Sequence, residues 1–162
     1  MNVGLFIGRF QPFHKGHVSA VEYILKNCDK LIILIGSPKK FGKEYNPFTL
    51  EQRKKMIKLA LPKKVLEKCE IIEVKDYGND KKWASAVEKN KFKTVFTNNP
   101  HVEKCLKEHE IKNIPVTVDC NATMVRRKMY LNQNWQDCVP KKVNTYLEKI
   151  NAEKTMQKII NT

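Results

Sequence analysis

No apolar stretch in the 162 residues approaches the length a helix needs to span a bilayer, so no membrane partner is expected. The opening segment, MNVGLFIGRF, has no basic region and no small-residue cleavage site, and reads as a first strand rather than a signal peptide. Cysteine is sparse: Cys28, Cys69, Cys105, Cys120 and Cys138 are odd in number, scattered and without a C-x-x-C pair. That pattern points to reduced, mostly structural thiols in a cytoplasmic protein. Acidic residues are also short, 17 against 31 lysines and arginines, for a net charge of +14. Such a balance suits an anionic partner. Almost all of the excess, however, is lysine spread along the chain, and no basic stripe interleaved with aromatics stands out, so nucleic acid is not the expected partner.

What is present is ordinary for a globular protein, with 41% hydrophobic and 30% charged residues. The length suits one domain spanning 1–162. Five short apolar runs, rich in β-branched residues, come in turn: Val3–Ile7, Leu31–Ile35, Cys69–Val74, Thr94–Thr97 and Ile114–Val118. Nearly continuous apolar runs of this length suit strands buried on both faces, hence a parallel sheet covered by helices. Helical spacing fills the gaps. Val18, Val21, Ile24, Leu25 and Cys28 share a face, Thr49 and Gln52 fit a capping box closed by Pro62, and Asn99-Pro100 opens another helix. Asn121 can cap a helix to Leu131, and from about 140 a helical stripe through Val143, Leu147 and Ile150 forms a C-terminal extension. The expected fold is a doubly wound α/β sandwich: a five-stranded parallel sheet, helices on both faces and a helical C-terminus. Ligands in such folds sit beyond the carboxyl ends of the strands.

The first strand end, GRFQPFHKGH from Gly8 to His17, is the richest. Gly8 permits a tight turn, Pro12 stiffens the loop, and Gly16 leaves room beside an opening helix. That helix start offers unpaired N–H groups and a positive dipole end, a natural phosphate seat. His14 and His17 lie three apart there, and Arg9 adds a planar cation. Two histidines also suit a metal, but no third ligand stands nearby at usual spacing, so no protein-held metal is expected. Phe10 and Phe13 read as core or pocket wall.

H-x-G-H after a first strand resembles the nucleotidylyltransferase superfamily, and the fuller string resembles its archaeal-type nicotinamide mononucleotide (NMN) adenylyltransferases, with a Rossmann-like fold. Further segments match in order as far as about Pro140: Ile35-Gly36-Ser37, Asn46-Pro47-Phe48-Thr49 with Arg53, Asp76 with Trp83, Asn98-Asn99-Pro100, and Thr123 to Met129. The last resembles a second phosphate motif, Ile-Ser-x-Thr-x-x-Arg, and departs from it where Cys120, Asn121 and Ala122 replace isoleucine, serine and the common glycine.

The resemblance implies adenylyl transfer from ATP to NMN, giving NAD and pyrophosphate. His14, His17 and Arg126 would be catalytic. Gly8, Arg9, Phe10, Gly16, Asn121, Thr123 and Arg127 would bind ATP, and Ser37, Arg53, Asp76, Trp83 and Asn99 would bind NMN, with Trp83 stacked on the nicotinamide. Mg2+ would be held through ATP phosphates, and relatives of this type often assemble as homo-oligomers. Relatives that act on flavin mononucleotide or phosphopantetheine open instead with a G-T-F-D-like string. They are the alternative, ahead of a nucleic-acid-binding module.

Overall fold

The computed structural model describes residues 1–162. Five strands form one sheet: β1 (Val3–Gly8), β2 (Lys30–Gly36), β3 (Cys69–Val74), β4 (Thr94–Phe96) and β5 (Glu110–Lys112). The order is β3-β2-β1-β4-β5, and every pairing is parallel. Strand order reverses on either side of β1, which makes its carboxyl end, Gly8, a topological switch point. Eight helices accompany the sheet: α1 (Lys15–Asn27), α2 (Leu50–Ala60), α3 (Lys63–Leu66), α4 (Asp80–Glu88), α5 (Pro100–Cys105), α6 (Ala122–Tyr130), α7 (Lys141–Lys149) and α8 (Ala152–Ile160). None is long and apolar enough to cross a membrane.

The chain gathers into two compact units. One comprises Met1–Gly8, Ala20–Pro38 and Lys63–Pro115, and the other Arg9–Ser19, Lys39–Pro62 and Val116–Thr162. The first is the sheet with its covering helices. Leu5, Ile32, Leu34, Val74 and Val95 point to one face, where Val87 of α4 and Val102 of α5 close a single core. Gly4 faces the other way. A Cβ there would lie 2.9 Å from the Phe96 ring and 3.2 Å from Ile24 of α1, so α1 rides directly on the backbone of β1. Helices on both faces explain why the central strands β1, β2 and β4 are apolar without alternation, while the edge strands β3 and β5 carry charged residues.

One strand is not where the apolar run suggests. The edge strand is Glu110–Lys112, not Ile114–Val118. Thr94 donates its hydroxyl to Glu110 at the sheet edge, and Ile111 packs on the core. The apolar run fails as a strand because Pro115 has no N–H to give. Asn98 instead clasps Ile114 through both backbone groups, and Val116 is exposed.

The second unit is built on α2, α6, α7 and α8. The capping box at Thr49 is present in full, with Gln52 returning its side chain to the Thr49 N–H. The C-terminal extension packs within the chain: α8 lies on α6, Met156 is fully buried, and the indole N–H of buried Trp135 donates to Glu153. The cysteines depart from expectation. Cys120 and Cys138 form a disulfide, leaving Cys28, Cys69 and Cys105 free. The Cα atoms of Cys120 and Cys138 lie 5.5 Å apart, the spacing a disulfide requires. No sequence motif marks this pair; folding brings Cys120, just before α6, against the turn that precedes α7.

Candidate active site

The loop from Arg9 to Lys15 is locked at several points before any side chain aims at a ligand. Phe10 is buried with φ +54°, an unusual conformation for a bulky residue, and the Gln11–Pro12 bond is cis. Gln11, buried, forms two hydrogen bonds with the backbone of Phe48, its amide donating to the carbonyl and its oxygen accepting from the N–H. Arg53 is fully buried rather than an exposed helix residue. Its guanidinium donates to the carbonyl of Arg9 at 3.0 Å and to that of Thr49 at 3.3 Å. The arginine therefore acts on the loop backbone, as does Gln11, whose part sequence reading missed. A glutamine between aromatic residues and a proline was the signal available.

The two imidazoles lie face to face, ring centroids 3.7 Å apart. His17 is also stacked on Phe13 at 5.0 Å and meets the edge of Phe10 at 4.9 Å. Each ring accepts a backbone N–H at Nδ1: His14 from Gly16 at 3.0 Å, and His17 from His14 at 3.1 Å. A nitrogen that accepts cannot carry the proton, so both neutral rings bear it on Nε2 and can donate from there. Burial, followed by the Arg126 guanidinium, lowers the His14 pKa to about 4. Burial, followed by His14, holds His17 well below its ordinary value. Both are neutral donors at physiological pH.

Gly16 makes the close packing possible. A Cβ there would lie 2.8 Å from the His14 ring and 3.1 Å from the Cys120 carbonyl, so the loop that opens α1 and the approach to α6 meet across this one residue. At the start of α6, Asn121 accepts from the Met124 N–H at 2.8 Å. It replaces the expected serine as a competent N-cap. Arg126, one turn on, donates to the Gln11 carbonyl at 2.8 Å and to the Thr123 hydroxyl at 3.3 Å. Burial and the neighbouring Arg9 pull its pKa below the usual guanidinium value. Thr123, Arg126 and Arg127 line a cleft of about 310 Å3, with Tyr45 and with Met156 and Ile160 of α8 as its apolar wall.

The sheet unit carries the other candidates at its strand ends. Ser37, immediately after β2, is buried at φ +48° and donates its hydroxyl to Asp76 after β3 at 3.0 Å. Trp83 on α4 is partly buried against the core. Asn99 caps α5, accepting from the His101 N–H at 2.9 Å.

Residues 5–146 match the model of the cytidylyltransferase-like family. The chain belongs to that family. Members similar over nearly the whole chain include a nicotinamide-nucleotide adenylyltransferase from Saccharolobus solfataricus, 38% identical over 100% of this chain and 99% of its own. One of the same name from Pyrococcus furiosus is 36% identical over 93% of this chain and 85% of its own. Among solved structures, a bifunctional NMN adenylyltransferase/ADP ribose pyrophosphatase from Francisella tularensis, complexed with AMP and a manganese ion, superposes with a TM-score of 0.83 at 28% identity. It covers 99% of this chain, which spans about half (52%) of the bifunctional protein. The five-stranded cytidylyltransferase-like sheet of this chain is thus the fold of an NMN adenylyltransferase.

Proposed function

We propose that the protein is a nicotinamide-nucleotide adenylyltransferase, joining NMN and ATP into NAD with release of pyrophosphate. The 5′-phosphate oxygen of NMN attacks the α-phosphorus of ATP in line. The bond from that phosphorus to the bridging oxygen breaks, and the electron pair leaves with pyrophosphate. An NMN phosphate is already ionised at neutral pH, so the enzyme needs neither a strong base nor a nucleophile of its own. Its work is positioning and charge stabilisation.

The observation that carries the proposal is the pair of Nε2–H donors. His14 and His17 are fixed in one tautomer by backbone amides, so they can donate to α- and β-phosphate oxygens without reorganising. Arg126, with Arg9 beside it, stabilises the β/γ-phosphates and the departing pyrophosphate, and Thr123 adds a hydroxyl. Gly8, Phe10, Gly16 and Asn121 shape the ATP seat rather than contact the reacting atoms, and Arg127 extends its cationic wall. Around Arg126 stand Arg9, Arg127 and the Thr123 hydroxyl, with Glu44 a single carboxylate at the cleft, a set that fits a Mg2+ ion carried by phosphate oxygens and water rather than by a protein cage. When bound, Mg2+ neutralises charge on the triphosphate.

NMN is assigned to Ser37, Arg53, Asp76, Asn99 and Trp83, the last stacking on the nicotinamide; Arg53 also holds the Arg9 and Thr49 backbone. The enzyme works as a single cytoplasmic nucleotidyltransferase domain, since the family match draws on both compact units and its substrates are intracellular. Assembly into a homo-oligomer belongs to the same reading, supported by the resemblance; sedimentation as a monomer would overturn that part.

The test offers ATP and Mg2+ with NMN, nicotinic acid mononucleotide, flavin mononucleotide or phosphopantetheine and follows pyrophosphate. Turnover with NMN is expected. Turnover with flavin mononucleotide alone would overturn the acceptor and leave the reaction class. His14→Ala and His17→Ala should each lose ~100- to 1,000-fold in kcat, the usual cost of one aimed donor. Full turnover by either would remove that histidine from the mechanism.

A further inference from the structure

Away from the phosphate loops, the sheet unit brings three metal-ligating side chains of different chemistry together. Asp80 is the first residue of α4, and His101 and Cys105 lie four apart on α5. Four apart on a helix is the spacing at which two side chains reach the same point. One oxygen, one nitrogen and one sulfur of the three lie within 4.8 Å of one another.

The distances inside the cluster are informative. Nε2 of His101 is 3.3 Å from Oδ1 of Asp80 and 3.6 Å from Sγ of Cys105. A tetrahedral zinc ion with bonds of about 2.0–2.3 Å to oxygen, nitrogen and sulfur sets edges of about 3.4 Å for N···O and about 3.6 Å for N···S. The two edges that meet at Nε2 of His101 therefore match those of a zinc site, and the Asp80 oxygen and the Cys105 sulfur lie within 4.8 Å of each other.

Hydrogen bonding within the cluster serves its members poorly. A single nitrogen faces both the carboxylate and the thiol. If it carries a proton it can donate to Asp80, and it then offers the thiol proton no lone pair. If it does not, it accepts from Cys105 while its lone pair meets the carboxylate oxygen. A cation among the three turns every one of these lone pairs into a ligand.

We propose that Asp80, His101 and Cys105 bind a divalent transition-metal ion of the zinc type, with water completing a tetrahedral site and the ion clamping the first turn of α4 to α5. The ligand set selects the class, because thiolate and imidazole favour zinc or cobalt over the hard ions magnesium and calcium. Asp80 and His101 are exposed, so an ion can enter and one position remains open to water. Burial and the Asp80 carboxylate raise the Cys105 thiol above its ordinary pKa, so metal uptake displaces a proton from sulfur. Trp83 lies three residues after Asp80 on α4, so the clamp fixes the helix that carries it.

Cobalt(II) reports the site directly. Titration of the full-length protein, with its disulfide intact, should produce the thiolate-to-cobalt charge-transfer band and saturate at one equivalent, and Zn2+ should abolish the band. C105S should lack it. Loss of a group that merely supports a metal ligand weakens binding by ~10- to 100-fold, so D80N and H101A should weaken Zn2+ at least tenfold. No band in the parent protein, or an undiminished band in C105S (cobalt held instead by Cys28 or Cys69), overturns the proposal. Circular dichroism melts without metal should match for parent and variants, and a C105S that fails this check is replaced by C105A. NAD synthesis plays no part in this readout, so the outcome is independent of the catalytic assignment.

Discussion

Gly16 shows how much a single missing methyl group can carry. Its N–H fixes the tautomer of His14, and the space above it is occupied by the His14 ring and the Cys120 carbonyl. Gly16→Ala should push the ring from its place and lower kcat by ~100-fold, the order of losing one preorganised donor. Far-ultraviolet circular dichroism should hardly change, since alanine favours a helix. Unaltered kcat would show that the imidazole is not held by this contact. His14 also makes a pH prediction. Its folded pKa of about 4 lies below the 6.5 of an accessible histidine, so between these values the unfolded chain binds the extra proton. Stability conferred by the neutral ring is complete above 6.5 and is lost as pH falls towards 4. At 1.36 kcal/mol per unit the contribution is on the order of 3 kcal/mol. His14→Gln should therefore lose less Tm than the parent between pH 7 and about 4.5, read by thermal melts across that range.

At the scale of elements, the disulfide ties the entry of α6 to the turn before α7, closing a loop of 18 residues. Closure of a loop of this length stabilises by roughly 3 kcal/mol. C120S/C138S should lower the urea midpoint accordingly and steepen the slope slightly, since the uncrosslinked unfolded chain exposes more surface. Activity should fall as well, because Thr123 and Arg126 follow directly on this anchor; a variant equally stable and equally active would show the bond to be incidental. Elements also show what sequence can convey. Four strands were legible because covered parallel strands are largely apolar, even where edge strand β3 interposes Glu70 and Glu73, and the helix starts at Thr49, Asn99 and Asn121 were legible because caps are local chemistry. The other edge strand, β5, was not: only Ile111 of its three residues faces the core, and a longer apolar run containing Pro115 lay next to it. The two segments proposed to bind phosphate stand out by residue type. The shared tautomer of the imidazoles, the burial of Arg53 and the partner of Cys120 are set by contacts distant in sequence, which no local pattern encodes.

On the whole molecule, a charge of +14 carried mainly by dispersed lysines favours anions without defining a groove for them. Any affinity for RNA should then be non-specific and should disappear by roughly 0.2 M salt, where scattered phosphate contacts have weakened by orders of magnitude. Filter binding across a salt series tests this, and retention of RNA at the upper end would call for a built nucleic-acid surface.

The molecule holds just two tryptophans, and they fall one to each compact unit: partly buried Trp83 among the strands and helices of the sheet, fully enclosed Trp135 beside the C-terminal helices. Replacing either with phenylalanine leaves a single intrinsic fluorophore, so the emission of each variant follows the melting of one half alone. Superimposable curves would reveal one cooperative body, and separated curves two that come apart in sequence.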